Sequence, residues 1–428
     1  MRYLYSILYY CLLPIIVLRM ILRSRAAPAY RRRLAERLGL FDAGALPKES
    51  PAIWLHAVSV GETLAAAPLI ENLLHSYPNH VLVVTTTTPT GSERVAALFG
   101  ERVFHVYAPW DTPGAVKRFL ARIRPRLLII METELWPNML HHCHQSGCCI
   151  VLANARMSQR SARGYARLGG LSESMLADLD VVACQSRADG DRFLQLGLQS
   201  SQLEVTGSIK FDLELDAGLR AQATELRNTW GVDKRSVIVA ASTHPGEDEQ
   251  ILCAFAEVRA VVDNCLLVIV PRHPERFDSV FELCAAGGWQ VQRRSLGVEP
   301  TLQDDILLGD SMGELLLLLS GATVAVIGGS LVNHGGHNVL EAAAWGIPVV
   351  TGPYMFNFAE ISDLLSAAGA MQQLDHIDDL AGCLTRLLAD PAQRRDMGTA
   401  GQRVVAANRG AKKRLLALID DQLRPSVK

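Results

Sequence analysis

From residue 50 onward, short apolar runs alternate with longer segments of helical periodicity. The apolar runs are rich in β-branched residues and are continuous rather than alternating. This pattern is typical of strands in a parallel sheet that helices cover on both faces. The first series of predicted strands is AIWLHAV, HVLVVTTTT, RVFHVYAP, RLLIIMETE, CCIVLANA, LDVVACQS and QLEVTGS.

A second series of the same kind follows a polar segment near residues 212–232, and its runs are SVIVAAST, CLLVIVPRH, DDILLGD, ATVAVIGGS and IPVVTGP. The chain is therefore predicted to be an α/β protein with two doubly wound halves, in which ligands bind at the carboxyl ends of the strands. We place one half at residues 26–215 and the other at 216–428, ending in an amphipathic helical segment from about Asp390. Two such halves facing a cleft would suit a two-substrate reaction.

Residues 1–25 form a third segment with a different character. The stretch Leu4–Leu18 is uncharged, mostly apolar and interrupted by Pro14, and three arginines follow it at positions 19, 23 and 25. A full span needs about 20 apolar residues, so the run suits either a signal-anchor helix or a helix lying in the membrane interface. A buried N-terminal helix of a soluble domain is the remaining alternative. The positive-inside rule would place the arginines and the body of the protein in the cytoplasm.

Composition and charge sharpen this picture. Hydrophobic residues make up 49% of the chain and charged residues 20%, which excludes a disordered protein. Residues 1–40 contain eight Arg and one Glu, whereas the complete chain has a formal net charge of −2. A basic N-terminus on a slightly acidic body indicates an anionic surface as partner.

The nine cysteines show no disulfide framework, so reduced thiols are expected. The segment HHCHQSGCC at residues 141–149 could bind a metal by composition. The favoured interpretation is the end of a helix that Gly147 closes before the strand CCIVLAN.

The second half carries the densest group of candidate ligand residues. In IGGSLVNHGGHNVLEAAAWGIPVVTGP a strand is predicted to end at Gly328–Gly329, and a helix to begin near His337–Asn338. Backbone N–H groups at such a turn suit a phosphate, and Glu341 could accept two ribose hydroxyls. A glycine-rich turn followed by an ordinary surface glutamate is the alternative.

Two further segments of the second half suit a nucleotide. VPRHPERF delivers Arg272 and His273 to a strand end, where Arg272 would pair with a phosphate unless it pairs with a surface glutamate. LLGDSMGELLLLL places Met312, Gly313 and Glu314 at a turn where Gly313 would let a base or ribose approach closely, although the same residues could simply cap a helix.

The first half offers carboxylates and hydroxyls. The Thr-rich strand end TTTTPTGSER could bind an anion or merely cap a helix. METELWPN places Glu132 and Glu134 on one face of an extended segment, and TGSIKFD places Lys210 near the junction of the halves, where it could reach a leaving phosphate.

Glu62 follows Gly61 where the strand in PAIWLHAVSVGE should turn into a helix. A carboxylate in the first helical turn is favoured by the helix dipole, which alone would explain it. At a strand end facing a cleft it could also be the base that removes a proton from an acceptor hydroxyl.

These motifs together resemble the transferases of 3-deoxy-D-manno-octulosonic acid (Kdo) that act in lipopolysaccharide assembly. The resemblance rests on eight ordered segments that cover nearly the whole chain: HAVSVGETLAAAPLI, TPTGSERV, METELWPN, NARMS, TGSIKFD, VPRHPERF, GDSMGEL and GGSLVNHGGHNVLEAAAWGIPVV. It implies a GT-B fold of two Rossmann-like domains and an inverting glycosyltransferase of the CMP-Kdo:lipid A Kdo transferase type. The reaction implied is transfer of Kdo from CMP-Kdo to the 6′-hydroxyl of the lipid A precursor, lipid IVA, at the cytoplasmic face of the inner membrane. It implies no metal or other cofactor.

The resemblance also implies roles for individual residues. Glu62 matches the general base, and Glu132 and Lys210 match residues that stabilise the transition state. The residues that match CMP contacts are Pro271, Arg272, Met312, Gly313, Glu314, Asn338, Val339, Leu340 and Glu341. One departure is Ser311 where a threonine is expected in GDTMGE, and it keeps the hydroxyl.

Two rival functions stay open at this point. A nucleotide-sugar epimerase could share the two-domain architecture, but it would not need the apolar N-terminus. A non-enzymatic membrane module that senses a nucleotide is the other rival, and the facing carboxylates count against it.

Overall fold

The computed structural model describes residues 1–25, 28–44 and 50–424. The chain divides into two compact units, the first comprising Met1–Asp212 and Arg409–Lys428 and the second Leu213–Asn408. Each unit is built on its own seven-stranded sheet, and both sheets are parallel, as the continuous apolar runs predict.

The first unit holds its strands in the order β3-β2-β1-β4-β5-β6-β7. The strands are β1 (Ala52–His56), β2 (Val81–Thr86), β3 (Phe104–Tyr107), β4 (Pro125–Met131), β5 (Cys149–Ala155), β6 (Val181–Cys184) and β7 (Leu203–Val205). The chain order reverses between β1 and β4, which pair in parallel from Ala52 with Pro125 to His56 with Ile130. This reversal makes the β1–β4 edge the topological switch point, where ligands bind in open α/β sheets.

Helices cover both faces of the first sheet. They are α1 (Arg2–Arg23), α2 (Leu34–Arg37), α3 (Val60–Ser76), α4 (Pro89–Phe99), α5 (Pro113–Ile123), α6 (Pro137–Gln145), α7 (Gln159–Arg167), α8 (Gly170–Ala177) and α9 (Arg187–Gln195). The β-strand residues face two separate buried clusters, one on each side of the sheet: Trp54 packs with Phe119 and Leu128, whereas Leu55 packs with Ile70 and Ile129.

The second unit has the strand order β10-β11-β9-β8-β12-β13-β14. Its strands are β8 (Ser236–Thr243), β9 (Cys265–Pro271), β10 (Val291–Arg293), β11 (Ile306–Leu308), β12 (Val324–Ile327), β13 (Val349–Thr351) and β14 (Met371–Gln373). Its helices are α10 (Ala217–Trp230), α11 (Asp248–Arg259), α12 (Phe277–Ala286), α13 (Leu315–Ser320), α14 (Leu340–Trp345), α15 (Ala359–Ala367), α16 (Leu380–Ala389) and α17 (Pro391–Asn408). Here the order reverses between β8 and β12, so these two strands mark the switch point of this sheet.

The last helix, α18 (Ala411–Leu423), departs from the predicted domain ranges, which assigned all of residues 216–428 to the second half. Leu415, Ile419 and Leu423 lie in the buried cluster of the first unit together with Ile70. The backbone N–H of Gly410 also donates to the Asp212 carboxylate at 2.5 Å. The amphipathic pattern predicted the helix correctly, but not the core that its apolar face covers.

Helix α1 runs unbroken through Pro14 from Arg2 to Arg23 and has the length and composition of a membrane span. Only 6% of the most apolar 18-residue stretch of this helix is buried within the protein, so the alternative of a buried N-terminal helix is wrong. Its first turns contact the first unit, where Arg2 and the Ser6 hydroxyl both donate to the side-chain oxygen of Asn138. A helix of this kind near an N-terminus is weak support for membrane association.

Candidate functional site

The turn between β1 and α3 presents Glu62 at the switch point of the first unit. Ser59 is the N-cap of α3, and its hydroxyl oxygen accepts from the Glu62 N–H at 3.4 Å. In return the Glu62 carboxylate accepts from the Val58 N–H at 2.7 Å and from the Ser59 hydroxyl at 3.0 Å. These contacts fix the carboxylate and also cap the helix. A Cβ on Gly61 would meet only the Ser59 hydroxyl at 3.8 Å, so packing does not require glycine there.

Glu132 and Glu134 follow the neighbouring strand β4. The prediction of an extended segment is wrong, because Glu132 adopts a left-handed conformation with φ of 57° and starts a turn. Its N–H donates to the Ala153 carbonyl at 2.9 Å, which ties this turn to β5. Glu134 accepts from the Trp136 indole at 3.0 Å. A left-handed non-glycine residue at a strand end is strained, and such residues concentrate at functional sites.

The three carboxylates influence one another electrostatically. Burial, followed by the negative charges of Glu132 and Glu134, raises the pKa of Glu62 to about 7, against the hydrogen bonds that it accepts. Burial and the charge of Glu132 also raise the pKa of Glu134, although the Trp136 hydrogen bond opposes them. A carboxylate whose pKa lies near neutrality is suited to general-base chemistry. The structure thus places Glu62 within electrostatic reach of Glu132 and Glu134.

Lys210 lies in a short 3-10 turn, Ile209–Phe211, after the outermost strand β7. The turn bends back toward the centre of the sheet, because the Ile209 N–H donates to the Asn154 side chain near the end of β5 at 3.2 Å. Strand β5 is the neighbour of β4, which carries Glu132. Lys210 therefore lies at the same sheet edge as the carboxylates, in a half-buried position.

Two other segments of the first unit have structural explanations. Thr88 caps α4 by accepting from the Gly91 N–H at 3.1 Å, and the buried Thr85 hydroxyl contacts Trp54 and His56 at 2.8 and 2.9 Å. The segment 141–149 is the end of α6, a left-handed Gly147 and the start of β5, as predicted. Among residues 1–25, 28–44 and 50–424, no group of three or more His, Cys, Asp or Glu side chains could hold a metal ion.

In the second unit the predicted nucleotide residues lie at the ends of three strands, β11, β9 and β12, and β8 lies between the last two in the sheet. Pro271 is the buried last residue of β9, and the exposed Arg272 comes directly after it. The Arg272 N–H donates to the Thr243 carbonyl at 3.0 Å, which fixes the start of this turn against the end of β8. The guanidinium acts electrostatically on His337 and Glu341, so these side chains share one region of the sheet edge.

Met312, Gly313 and Glu314 form the turn before α13. Met312 and Gly313 are exposed, and Gly313 has φ of 87° with open space where a Cβ would lie. Glu314 accepts from the Ser311 hydroxyl and from Arg294 at 3.1 Å, and the Arg294 hydrogen bond lowers the pKa of Glu314 despite partial burial. The positive φ explains the glycine, and the open space leaves room for a ligand.

Residues Asn338–Glu341 end the loop after β12. Helix α14 begins at Leu340 rather than near His337–Asn338 and has only six residues, so its dipole is small. Val339 and Leu340 are buried completely, backbone included, and the Leu340 N–H donates to the Asn338 side chain at 3.1 Å, so the structure leaves neither residue exposed to a ligand. The Asn338 side chain donates to Glu341 at 2.9 Å. Burial raises the pKa of Glu341, and the Asn338 hydrogen bond and the charge of Arg272 oppose this effect.

Sequence reasoning missed Glu247, which joins the two central loops of the second unit. Its carboxylate is fully buried and accepts from the N–H groups of His244 at 2.8 Å, Gly329 at 2.7 Å and Leu331 at 2.9 Å. The first of these residues follows β8 and the other two follow β12. The sequence feature that could have pointed to Glu247 is the segment HPGE directly after the buried strand SVIVAAST.

Four histidines, His244, His273, His334 and His337, form an imidazole cluster at this edge, which sequence reasoning missed although it placed His273 at a strand end. The Nε2 atoms of His244 and His337 lie 2.7 Å apart, and their rings are stacked with centroids separated by 5.0 Å. The His334 ring stacks on His244 at 4.2 Å, and the His273 ring meets it edge-on at 5.5 Å. Gly329 lies under the pair, where a Cβ would approach the His337 ring to 3.0 Å.

Comparison with known families identifies both units. Residues 249–404 match the family model described as Glycosyl transferases group 1, and residues 32–213 match the model described as 3-Deoxy-D-manno-octulosonic-acid transferase (kdotransferase). Two parallel-sheet Rossmann-like domains with these matches define a glycosyltransferase of the GT-B class.

Curated relatives define the family more closely. The 3-deoxy-D-manno-octulosonic acid transferase of Haemophilus influenzae is 42% identical over 427 residues, covering 100% of both chains. That of Bordetella pertussis is 39% identical over 425 residues, covering 96% of this chain and 97% of the relative. The chain belongs to the 3-deoxy-D-manno-octulosonic acid transferase family.

Solved structures agree with this fold. The UDP-GlcNAc 2-epimerase from Neisseria meningitidis covers 86% of this chain and 100% of its own, with a TM-score of 0.58. At 13% identity the similarity shows the fold alone, and it lends no support to the epimerase alternative.

Proposed function

We propose that this protein transfers Kdo from CMP-Kdo to a hydroxyl group of the lipid A precursor, with inversion at the anomeric carbon. Full-length identity of 42% with a transferase of this name supports the reaction. The single structural observation that carries the mechanism is Glu62, a carboxylate at the switch point whose pKa is raised to about 7. Such a group is half ionised near neutral pH and can accept a proton there.

In the proposed reaction Glu62 takes the proton from the acceptor hydroxyl as its oxygen attacks the anomeric carbon of Kdo. The bond from that carbon to the phosphate oxygen breaks, and CMP leaves with the bonding electron pair. The hydrogen bonds from Val58 and Ser59 hold the carboxylate in one orientation. Glu132 would stabilise the transition state, where positive charge develops at the sugar, and its proximity keeps Glu62 basic enough to accept the proton.

The leaving phosphate gains negative charge in this step. Arg272, exposed at the end of β9, is the proposed partner for it, because a guanidinium binds phosphate oxygens in a bidentate manner. Lys210 is the proposed second cation. The proposal assigns no metal ion to the transfer.

The remaining predicted residues would hold the cytidine and ribose of the donor. Glu341 uses one carboxylate oxygen for the Asn338 amide, so its other oxygen is the proposed acceptor for a ribose hydroxyl. Open space at Gly313, beside Met312 and Glu314, would admit the base. Pro271, Val339 and Leu340 are buried and would support the exposed contact residues beside them.

We further propose that α1 anchors the protein to the cytoplasmic face of the inner membrane, either as a span or in the interface. The support is an exposed apolar helix of 22 residues followed by a basic segment. The arginines would contact anionic lipid phosphates. A lipid acceptor would then be reached without leaving the membrane.

The test is mass spectrometry of the lipid after incubation of the full chain with CMP-Kdo and tetra-acylated lipid A precursor. Wild type should add mass in Kdo steps, and Glu62→Gln should add almost none. No addition by a folded wild type that binds CMP would refute the proposed sugar or acceptor. Release of a changed nucleotide sugar without any lipid would instead support an epimerase.

The matched control is Asp189→Asn. Asp189 caps α9 as Glu62 caps α3: it accepts from the Ser186 hydroxyl at 2.5 Å and from the Met157 N–H at 2.7 Å. Both variants therefore alter a side chain that caps a helix, whereas only Glu62 has two carboxylate neighbours that raise its pKa. If Asp189→Asn lowered transfer as much as Glu62→Gln, loss of a cap would explain both results.

A further inference from the structure

The imidazole cluster collects rings from three different loops of one sheet edge. His244 follows β8, His273 follows β9, and His334 and His337 both come from the loop after β12. Because Glu247 binds the backbone of both central loops, it sets the position of the His244–His337 pair. The pair lies at the switch point of the second sheet, where a ligand is expected.

Two arginines lie close to the cluster. Arg272 and Arg276 act electrostatically on His244, and Arg272 acts on His337. Four carboxyl groups lie near these residues. Asp248 pairs with Arg276, and Glu247 accepts from the His244 N–H. Glu275 lies 4.0 Å from His273, and Glu341 interacts with Arg272. Asp248 is committed to Arg276 and Glu247 to backbone N–H groups, which leaves the exposed Arg272 as the cation beside the rings that an anion could reach.

We propose that the imidazole cluster binds the anionic part of the donor, its phosphodiester or its sugar carboxylate, and takes up a proton as the donor binds. This inference rests on the proposed function, since it assumes that a CMP-linked acidic sugar is the donor. It assigns His244 and His337 a binding role that the sequence motifs do not include.

The proton balance follows from the geometry of the pair. At 2.7 Å one Nε2 carries the hydrogen and the other accepts it, which leaves the Nδ1 atom of the donating ring able to take up a proton without breaking the bond. Burial, followed by the neighbouring histidines and arginines, lowers the pKa of His244 to about 4; burial and then Arg272 lower that of His337 to about 3. A bound anion favours the charged form. The proton from solvent enters the Nδ1 atom of the donating ring, and the resulting imidazolium pairs with the anion.

The size of the effect can be estimated. An opposite charge within 4–6 Å changes a pKa by roughly 1–3. A bound anion would therefore raise the pKa of His244 from about 4 to about 6. Donor binding near pH 6 should then take up about half a proton. Since the bound form holds more protons, donor affinity should rise roughly fourfold as the pH falls from about 7.5 to about 5.5.

The experiment is isothermal titration calorimetry of the full chain in detergent, without lipid acceptor, near pH 6. Each titration is run in two buffers of different ionisation enthalpy, and the slope of the observed enthalpy gives the protons taken up. Three ligands separate the sources of negative charge: cytidine has none, cytidine 5′-methylphosphate has a phosphodiester, and CMP-Kdo adds the carboxylate. Neither acidic group titrates near pH 6, so any proton taken up enters the protein.

Uptake with both anionic ligands would assign the phosphodiester to the cluster, and uptake with CMP-Kdo alone would assign the carboxylate. Measurable binding of CMP-Kdo with less than about a tenth of a proton taken up would overturn the inference and leave the proposed function intact. If wild type bound none of the three ligands, the proposed donor and this inference would both be wrong.

Substitutions locate the proton. Gln can replace the Nε2 hydrogen bond of a histidine without titrating, so His244→Gln and His337→Gln should each bind CMP-Kdo with proton uptake near zero. His376→Gln is the control, because His376 is an exposed histidine of the same unit outside the cluster. Unchanged uptake in both cluster variants would contradict the assignment to this pair.

Discussion

The switch points of the two sheets are alike in backbone and opposite in chemistry. In the first unit β1 and β4 deliver Glu62, Glu132 and Glu134, and burial, together with the charges of the other two carboxylates, raises the pKa of Glu62. In the second unit β8 and β12, with neighbouring β9, deliver imidazoles and Arg272, and burial, together with the charges there, lowers the pKa values of His244 and His337. An edge of carboxylates suits proton abstraction, whereas an edge of cations and imidazoles suits an anionic leaving group.

The comparison shows that the doubly wound sheet supplies a location and the turn residues supply the reaction. In both units a buried or half-buried glutamate accepts backbone N–H groups: Glu62 from Val58, and Glu247 from His244, Gly329 and Leu331. Glu62 remains partly accessible and can therefore act on a substrate, but Glu247 is fully buried and can only hold loops. The following predictions test this division of roles.

The largest effect should come from Glu62→Gln, which keeps the size of the capping side chain but removes the base. Transfer should fall by about 10²–10⁴-fold, measured as initial rate at saturating substrates. Because burial favours the neutral carboxyl, wild type loses stability as the pH rises from 4.5 through about 7, and the Gln variant should not. Near-native turnover in a folded variant would remove Glu62 from the mechanism.

Arg272→Ala should weaken binding of the donor and leave the base, Glu62, unaffected. A charge-assisted hydrogen bond contributes about 1.5–3 kcal/mol, so the KM for CMP-Kdo should rise on the order of 10- to 100-fold. Arg386→Ala, which removes an exposed arginine of the same unit, is the control. Equal KM values for the two variants would mean that Arg272 makes no donor contact.

Glu247→Gln should destabilise the second unit without touching substrate. One carboxylate oxygen becomes an NH₂ group that faces backbone donors, which should lower the free energy of unfolding by about 1–3 kcal/mol. Thermal unfolding measures this, at roughly 2–4 °C per kcal/mol for a domain of this size. Glu257→Gln, on the exposed face of α11, should leave Tm unchanged. An unshifted Tm for Glu247→Gln would show that these hydrogen bonds do not hold the loops.

The smallest expected effect is a shift in pH dependence with Glu132→Gln. Removing this negative charge should lower the pKa of Glu62, so the rising limb of the rate profile should move to lower pH by roughly half a unit to one unit. The position of the limb is diagnostic, whatever happens to the maximal rate. The control is Glu71→Gln, which alters a surface ion pair with Arg102 and should leave the limb in place. An unmoved limb in Glu132→Gln would contradict electrostatic coupling between Glu132 and Glu62.

The sequence predicts the architecture well because its signal is strong where strands are buried. The runs around Trp54 and Val239 are continuous and apolar, and they form central strands. The strands that were missed, β10 and β14, are three-residue edge strands with the sequences VQR and MQQ. Short edge strands bury few side chains, so they leave no apolar run to detect.

The sites were predicted in part. Strand-end position and residue type were enough to select Glu62, Arg272 and Glu341. The left-handed turn at Glu132 was not predictable, because no glycine or asparagine marks it and the surrounding structure imposes it. The imidazole cluster was missed because its members are far apart in sequence, and only the strand order brings His244 beside His337.

The most direct test of the central claim is the pH dependence of transfer in a single turnover, for wild type and Glu62→Gln. If Glu62 is the base, the wild-type rate should rise about tenfold per pH unit and level off above about 7, where the carboxylate is ionised. The Gln variant should be slow and should lack this limb. A limb of the same midpoint in the variant would contradict the account and assign the proton to another group.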